Sequence, residues 1–357
     1  MKAPYVTWQD LQRMPLGVAW SAMGAPNTFS PGSEENRAQL TEICFTATNF
    51  ALVEVNQELA AGIQSEQLAG PRSHRIGVAP SGEMRFLTTY FPILKVVAGC
   101  FNPAGLFPPA YTLIPPGYAY PEEQPFTYGT GLPSASTGGM AAIRMSPGYA
   151  GGWYGGSGGT MYTMQYVSGW PHAELTEAIA AGVSEIPVDE ILGFAGTTVP
   201  IFDGPNTEQV QVASVTPNAP AAWSATSTYN PGVLVTFNDV LYLSLIASGP
   251  NLPVGAQQPS TNSSAYWTTP PEPCGPGTLS LLNPTQKPHQ NLPVLVTGLP
   301  RVVRWACALE AKAQGLEQGL ATVSIPGEGG QATSTAEAIE AAHRDAVAAL
   351  ANFRRIY

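Results

Sequence analysis

The sequence predicts an α+β chain: a helical bundle layer built by N- and C-terminal helices, with β-rich domains and long Gly/Pro arms inserted between them. Three observations carry that expectation. Leu299 to Tyr357 reads as two helical runs around a glycine-rich break. A second apolar stripe of helical period follows Ser33. Between these ends the hydrophobic period changes to two, and glycine and proline become frequent.

In chain order, Tyr5 to Met14 reads as a short opening helix, with Thr7 as its cap and Asp10 in its first turn. Ser33 caps a longer helix whose stripe is Leu40, Ile43, Cys44, Ala47 and Phe50, continuing towards Leu59. An isolated helix of this length is marginal in water, so it needs a packing partner, and the closing hairpin is the natural one. From about Arg72 to Cys100, two β-type runs flank a turn-like Thr88-Thr89. Phe101 to Thr160 is dominated by Gly, Pro and Tyr. Its aromatics are costly to leave wet, so it reads as arms resting on neighbouring chains.

Thr160 to Val167 alternates as a strand, and Thr198–Phe202 with Glu208–Val215 forms a pair around the turn-forming Asp203-Gly204. Pro217 to Pro220 links to a module of three short strands with Trp223 and Trp267 at its ends. Leu292 to Val296 is a last strand before the helices. In the first closing run, Val302, Ala306, Leu309, Ala313 and Leu316 recur at spacings of four, three, four and three, one buried face, with Pro300 at its start. The second run opens on Ser334-x-x-Glu337, a capping box. It buries Ile339, His343 or Ala342, Ala346, Leu350 and Phe353, and ends in cations suited to the negative end of a helix dipole. The expected divisions are 1–70 (N-terminal helices), 71–160 (β hairpin and arm), 161–218 (small β domain), 219–272 (β module) and 273–357 (strand and helical hairpin).

Charged residues are only 11% of the chain, against about a quarter in ordinary domains, and there are 37 Gly and 35 Pro, which suits a surface covered by neighbours. A neutral, β-rich secreted protein has the same composition. The net charge of −10 argues against a protein that grips nucleic-acid phosphates, though not against a surface past which DNA slides. Cys44, Cys100, Cys274 and Cys307 are scattered, without C-x-x-C spacing, and read as buried free thiols. The N-terminus lacks an apolar signal-peptide core, and no apolar run approaches about 18 residues. A soluble, cytoplasm-made chain without membrane contact is expected.

Candidate chemistry is thin. Gly155-Gly156-Ser157-Gly158-Gly159 fits the letters of a nucleophile elbow, but that motif needs a helix after the serine, and here a strand follows. His74, His172, His289 and His343 lie far apart, without metal-ligand spacing, so neither metal nor cofactor is expected. Asp203 and Glu208 resemble paired hydrolytic carboxylates, yet turn chemistry accounts for the aspartate. No catalytic residue is assigned. Trp223, Tyr229, Tyr242 and Trp267 are candidate glycan contacts, set against their use as the core of a very small domain.

Two resemblances can be named. Ala222-Trp223, Tyr229-Asn230, Gly232 to Val235, Leu241-Tyr242 and Ala265-Tyr266-Trp267 are similar to the chitin-binding type of carbohydrate-binding module. The rest resembles the head–tail connector (adaptor) proteins of long-tailed bacteriophages. The resembling pieces come in order. They are the Tyr5-x-Thr7-x-x-Asp10-Leu11 helix, the helix at 33–60, the Tyr162-x-Met164-Gln165-Tyr166 strand entering Gly169-Trp170-Pro171-His172-Ala173, and Ala180-Ala181-Gly182. Next are the strand pair from Asp203-Gly204 to Glu208-Gln209-Val210, the helix opened by Pro300 and the last helix closing on Asn352 to Arg355.

The connector resemblance implies a structural virion protein at the neck, in a ring of about twelve copies under the portal protein. It implies contact with a stopper or tail-completion protein, and DNA passing through without specific binding. It puts Phe353, Arg354, Arg355, Ile356 and Tyr357 forward as portal contacts. The inserted module would face outward, towards capsid or host glycan. The alternative reading is a glycan-binding adhesin or tail-tip protein.

Overall fold

The computed structural model describes residues 3–20, 34–69, 76–78, 83–102, 112–114, 117–121, 142–145, 161–238, 240–245, 247–252, 255–259, 266–268, 273–290, 292–319, 321–323 and 334–354. In order, α1 (Trp8–Arg13), β1 (Val18–Trp20), α2 (Glu34–Val55) and β2 (Gly62–Ala69) open the chain. Then come β3 (Ile76–Val78), β4 (Met84–Leu87), β5 (Ile93–Asn102), β6 (Thr112–Ile114), β7 (Ala119–Pro121), β8 (Ala142–Met145) and β9 (Met161–Ser168). β10 (His172–Glu174), β11 (Glu185–Val188), β12 (Thr198–Phe202) and β13 (Glu208–Pro217) are next. The chain continues with β14 (Leu234–Phe237), β15 (Val240–Ser244), β16 (Trp267–Thr268), β17 (Gly277–Leu281) and β18 (Leu295–Thr297). It closes with α3 (Arg301–Glu317), β19 (Ala321–Val323) and α4 (Thr335–Leu350).

The expected helical bundle layer with β insertions is therefore corrected. Among the described residues, strand residues outnumber helical ones, in five sheets against four α-helices. The reason lies in where apolar surface is buried: more of the large core side chains sit on strands than on helices.

The chain forms two compact units. Unit 1 gathers Met1–Leu59, Pro171–Val215 and Thr278–Arg355. Its sheet has the order β10-β18-β12-β13-β17-β11, and its core includes Phe194, Ile186, Ile201, Val212, Leu279 and Val296. α1 begins as its sequence requires: Thr7 Oγ1 accepts from the Asp10 N–H at 3.2 Å, and Asp10 Oδ2 accepts from the Thr7 N–H at 3.0 Å. Tyr5, just before α1, ties this end of the chain to α2 and to Leu59 beyond it. The Tyr5 N–H donates to Thr48 Oγ1 at 2.9 Å, and the Tyr5 hydroxyl accepts from the Leu59 N–H at 3.1 Å.

α2 buries Leu40, Ile43, Cys44, Ala47, Ala51 and Val55, while Phe50 is only half-buried. α3 packs on both α2 and α4. Its expected face is buried at Ala306, Leu309, Ala313 and Leu316, but at its start Val303 is buried in place of Val302, which is 45% exposed. Pro300 is the residue that caps α3, not one inside it. The ring of Trp20, on β1, lies so close over Gly315 of α3 that a Cβ there would come within 2.4 Å of it, so only glycine fits.

Unit 2 gathers Ala60–Trp170, Thr216–Gly277 and Ile356–Tyr357. It contains the sheets β2-β9-β5-β6 and β3-β4-β8-β7. Met84, Phe86, Ile143 and Met145 from one meet Ile93, Ile114, Tyr162, Met164 and Tyr166 from the other in a single core. β2 is a strand where helix-forming residues predominate in sequence. Its Glu66 is buried and accepts from the Thr89 N–H at 2.8 Å. The third sheet of this unit, β14-β15-β16, is the small aromatic module, and Gln165 Nε2 of β9 donates to its Ser244 carbonyl at 3.2 Å.

Candidate functional site

The C-terminal helix α4 starts on the expected capping box. Ser334 Oγ accepts from the Glu337 N–H at 3.2 Å, and Glu337 Oε2 accepts from the Ser334 N–H at 2.9 Å. Those bonds hold the Glu337 carboxyl below the ordinary carboxylate range. The helix buries Ala338, Ala342, Ala346 and Leu350, then tightens into a 3-10 turn over Ala351–Phe353. Phe353 is 2% exposed, so within unit 1 it anchors the end of the chain, and its carbonyl accepts from Gln57 Nε2 at 2.9 Å. Arg354 is exposed and pairs with Glu54 in the last turn of α2. Of the five expected contact residues, the structure brings Phe353 and Arg354 to the end of α2. Arg355, Ile356 and Tyr357 lie outside the described residues.

The four candidate glycan-contact aromatics share the small module but differ in exposure. Trp267, Tyr242 and Tyr229 are buried with Val235, and Trp223 is half-buried. The Trp267 indole meets the Tyr229 ring edge-on at 5.4 Å between centroids, and its N–H donates to the Gln257 carbonyl at 2.8 Å. Trp223 meets Phe237 edge-on at 5.6 Å. A module with so few apolar side chains uses its largest rings for its own core, leaving Trp223, Phe237 and Tyr266 partly open to solvent.

The three described histidines are bonded within the chain. His172 Nδ1 lies 2.9 Å from Thr297 Oγ1 and Nε2 lies 3.2 Å from the Ala3 carbonyl, with the Tyr5 ring edge-on to the imidazole. His343 Nδ1 lies 2.9 Å from Glu310 Oε2. His289 is fully buried between two carboxylates: Nδ1 lies 3.2 Å from Asp203 Oδ2, and Nε2 lies 2.9 Å from Glu208 Oε1. Sequence reasoning set these three residues apart, because 86 and 81 positions separate His289 from its partners. The hint was Asp203 and Glu208 flanking one turn; what could not be read was that the turn closes over a histidine.

Another acidic pair, Glu174 and Asp189, is bound by the Glu174 N–H donating to Asp189 Oδ1 at 2.7 Å. Burial first, and the Asp189 charge second, push the Glu174 carboxyl up to about 7.

The thiols carry no sign of activation. Burial raises Cys44, lifts Cys307 to about 12, and lifts Cys100 to about 11. Among the described residues the four cysteines are thiols rather than disulfides, and no group of metal-ligating side chains and no helix long and apolar enough to cross a membrane is present. The Gly155–Gly159 motif and His74 lie outside the described residues. Comparison with protein-family models, curated proteins and solved structures finds no match to this chain.

Proposed function

We propose that this chain is a structural subunit of a bacteriophage virion, a head–tail adaptor that assembles as a ring beneath the portal, joins capsid to tail and lets DNA pass. The observation that carries the reading is how the resembling pieces are gathered. The opening helix, the 33–60 helix up to Leu59, Pro171-His172-Ala173, Ala180 to Gly182, the Asp203-to-Val210 strand pair and both closing helices belong to unit 1. The Tyr162–Trp170 strand falls in unit 2, with the stretches that set the chain apart, 101–160 and the aromatic module. Pieces far apart in sequence that cohere in one unit make a plausible common core, with unit 2 as an elaboration.

The internally bonded imidazoles and the protonated buried thiols favour a structural role over catalysis. The net charge of −10 suits a channel that does not hold the DNA moving through it. Contact with the portal is assigned to the terminus beyond Phe353, whose own ring is committed to unit 1.

The test is binding of purified portal rings by a chain ending at Arg354 and by a chain lacking 219–272. Loss of portal binding only in the first supports the reading. Full binding by the chain ending at Arg354 overturns the assignment of the terminus, and retention of the intact chain on chitin without any portal binding moves the function to glycan recognition.

A further inference from the structure

The imidazole of His289 is 0% exposed, and both its ring nitrogens face carboxylate oxygens. A neutral imidazole has one N–H and one lone pair, so one of the two contacts would set a lone pair against a carboxylate. Only the imidazolium can donate to both at once. Neither point depends on the virion role.

The partners come from separate parts of unit 1. Asp203 follows β12, Glu208 opens β13, and His289 lies on the loop between β17 and β18. Glu208 also accepts from two amides of that loop, Gln286 N–H at 2.8 Å and Lys287 N–H at 3.2 Å. The Lys287 ammonium donates to the Pro205 and Thr207 carbonyls at 3.0 Å each. The guanidinium of Arg13 lies against Gly204, where φ is +53°. From the remaining side, Ile179 makes only a two-way backbone bridge to His289, at 2.9 Å in each direction.

We propose that His289 is a charge-operated latch, which fastens the 285–289 loop to the β12–β13 turn while its ring is an imidazolium and loosens that loop in alkaline solution. The proton leaves for hydroxide, and the nitrogen at the longer contact, Nδ1, is the one that gives it up. Two buried carboxylates and one imidazolium then become two carboxylates and a neutral ring. The lone pair on Nδ1 faces Asp203 Oδ2, and the other Asp203 oxygen has no hydrogen-bond partner among the described residues to absorb the added repulsion. The Glu208 bonds to the loop amides are drawn into the change because the same carboxylate faces the ring.

The test is made on the full chain by nitrogen NMR of the His289 ring and by amide hydrogen exchange, corrected for intrinsic rates, from about pH 6 to about pH 10. The expected spectrum has both ring nitrogens protonated at neutral pH. Protection of the Gln286 and Lys287 amides falls by about tenfold or more as the ring loses its proton. Asp203→Asn separates charge from contact, since its amide can donate to a neutral Nδ1 while Nε2–H still serves Glu208. That variant is expected to hold a neutral ring at neutral pH and to keep its loop protection across the range. A single-proton ring at neutral pH in the unaltered chain, or loop protection that does not change with pH, overturns the latch. So does the same pH dependence in Asp203→Asn.

Discussion

The assignment of portal contact to the last residues depends on Phe353 being a structural anchor, and that can be measured. Phe353 is almost wholly buried beneath the end of α2, and its carbonyl accepts from Gln57 Nε2 at 2.9 Å. Phe353→Ala removes a buried ring and leaves a cavity, an effect of about 3–5 kcal/mol. Gln57→Ala removes one buried hydrogen bond to the Phe353 carbonyl, about 1 kcal/mol. Ending the chain at Arg354 touches neither contact, and is expected to change stability by less than about 0.5 kcal/mol. Among the described residues all four α-helices lie in unit 1, so urea denaturation followed by helical circular dichroism reads this unit. The predicted order of midpoints is Phe353→Ala lowest, Gln57→Ala next, and the truncated chain indistinguishable from the intact one. A midpoint for Phe353→Ala equal to that of the intact chain would refute the anchor. Truncation as damaging as the alanine variant would show instead that the terminal residues are part of the core.

The same geometry sets further expectations. Arg304 is buried, pairs with Asp10 at 2.8 Å and stands 3.6 Å from the centre of the Phe202 ring. Arg304→Met is expected to cost about 3 kcal/mol, and much less when Asp10→Asn is already present, as a double-mutant cycle would read. Because Glu174 binds a proton more tightly in the folded chain, it costs stability as pH rises from its ordinary value of 4.5 through about 7. Glu174→Gln should therefore stabilise on the order of 1 kcal/mol above pH 7 and change little below pH 4.5, a difference that melts at the two pH values would show. Trp267→Ala is expected to unfold the small module, whereas Trp223→Ala leaves it folded. Tryptophan fluorescence of the module and retention on chitin distinguish loss of fold from loss of a contact.

Local patterns were legible where one short segment contains all the physics. Thr7 with Asp10, and Ser334 with Glu337, form the two capping boxes at the positions their spacing indicates. β9, β12 and β13 arise where alternation announces them, and Thr88-Thr89 separates β4 from β5. The balance between helix and strand was not legible. Gly62-Ile63-Gln64-Ser65-Glu66-Gln67-Leu68-Ala69 has the composition of a polar helix, and it became β2 because pairing with β9 and a backbone amide for Glu66 outweigh propensity. β1 and β19 are three residues each and, among the described residues, pair only with one another, too short for any period to show. On α3 the choice between Val302 and Val303 was ambiguous, since adjacent residues differ by about 100° around a helix. The His289 cluster failed for a different reason: its parts meet through sheet topology, which no window of sequence contains.

The measurement that bears most directly on the proposed function is electron cryomicroscopy of particles shown by mass spectrometry to contain this chain. The account predicts density for the chain as a ring between portal and tail. The end of α4 should point towards the portal, and the Trp223–Trp267 module should lie away from the channel. Density for the chain only at the tail tip, or a particle whose neck is complete without it, would contradict the adaptor function.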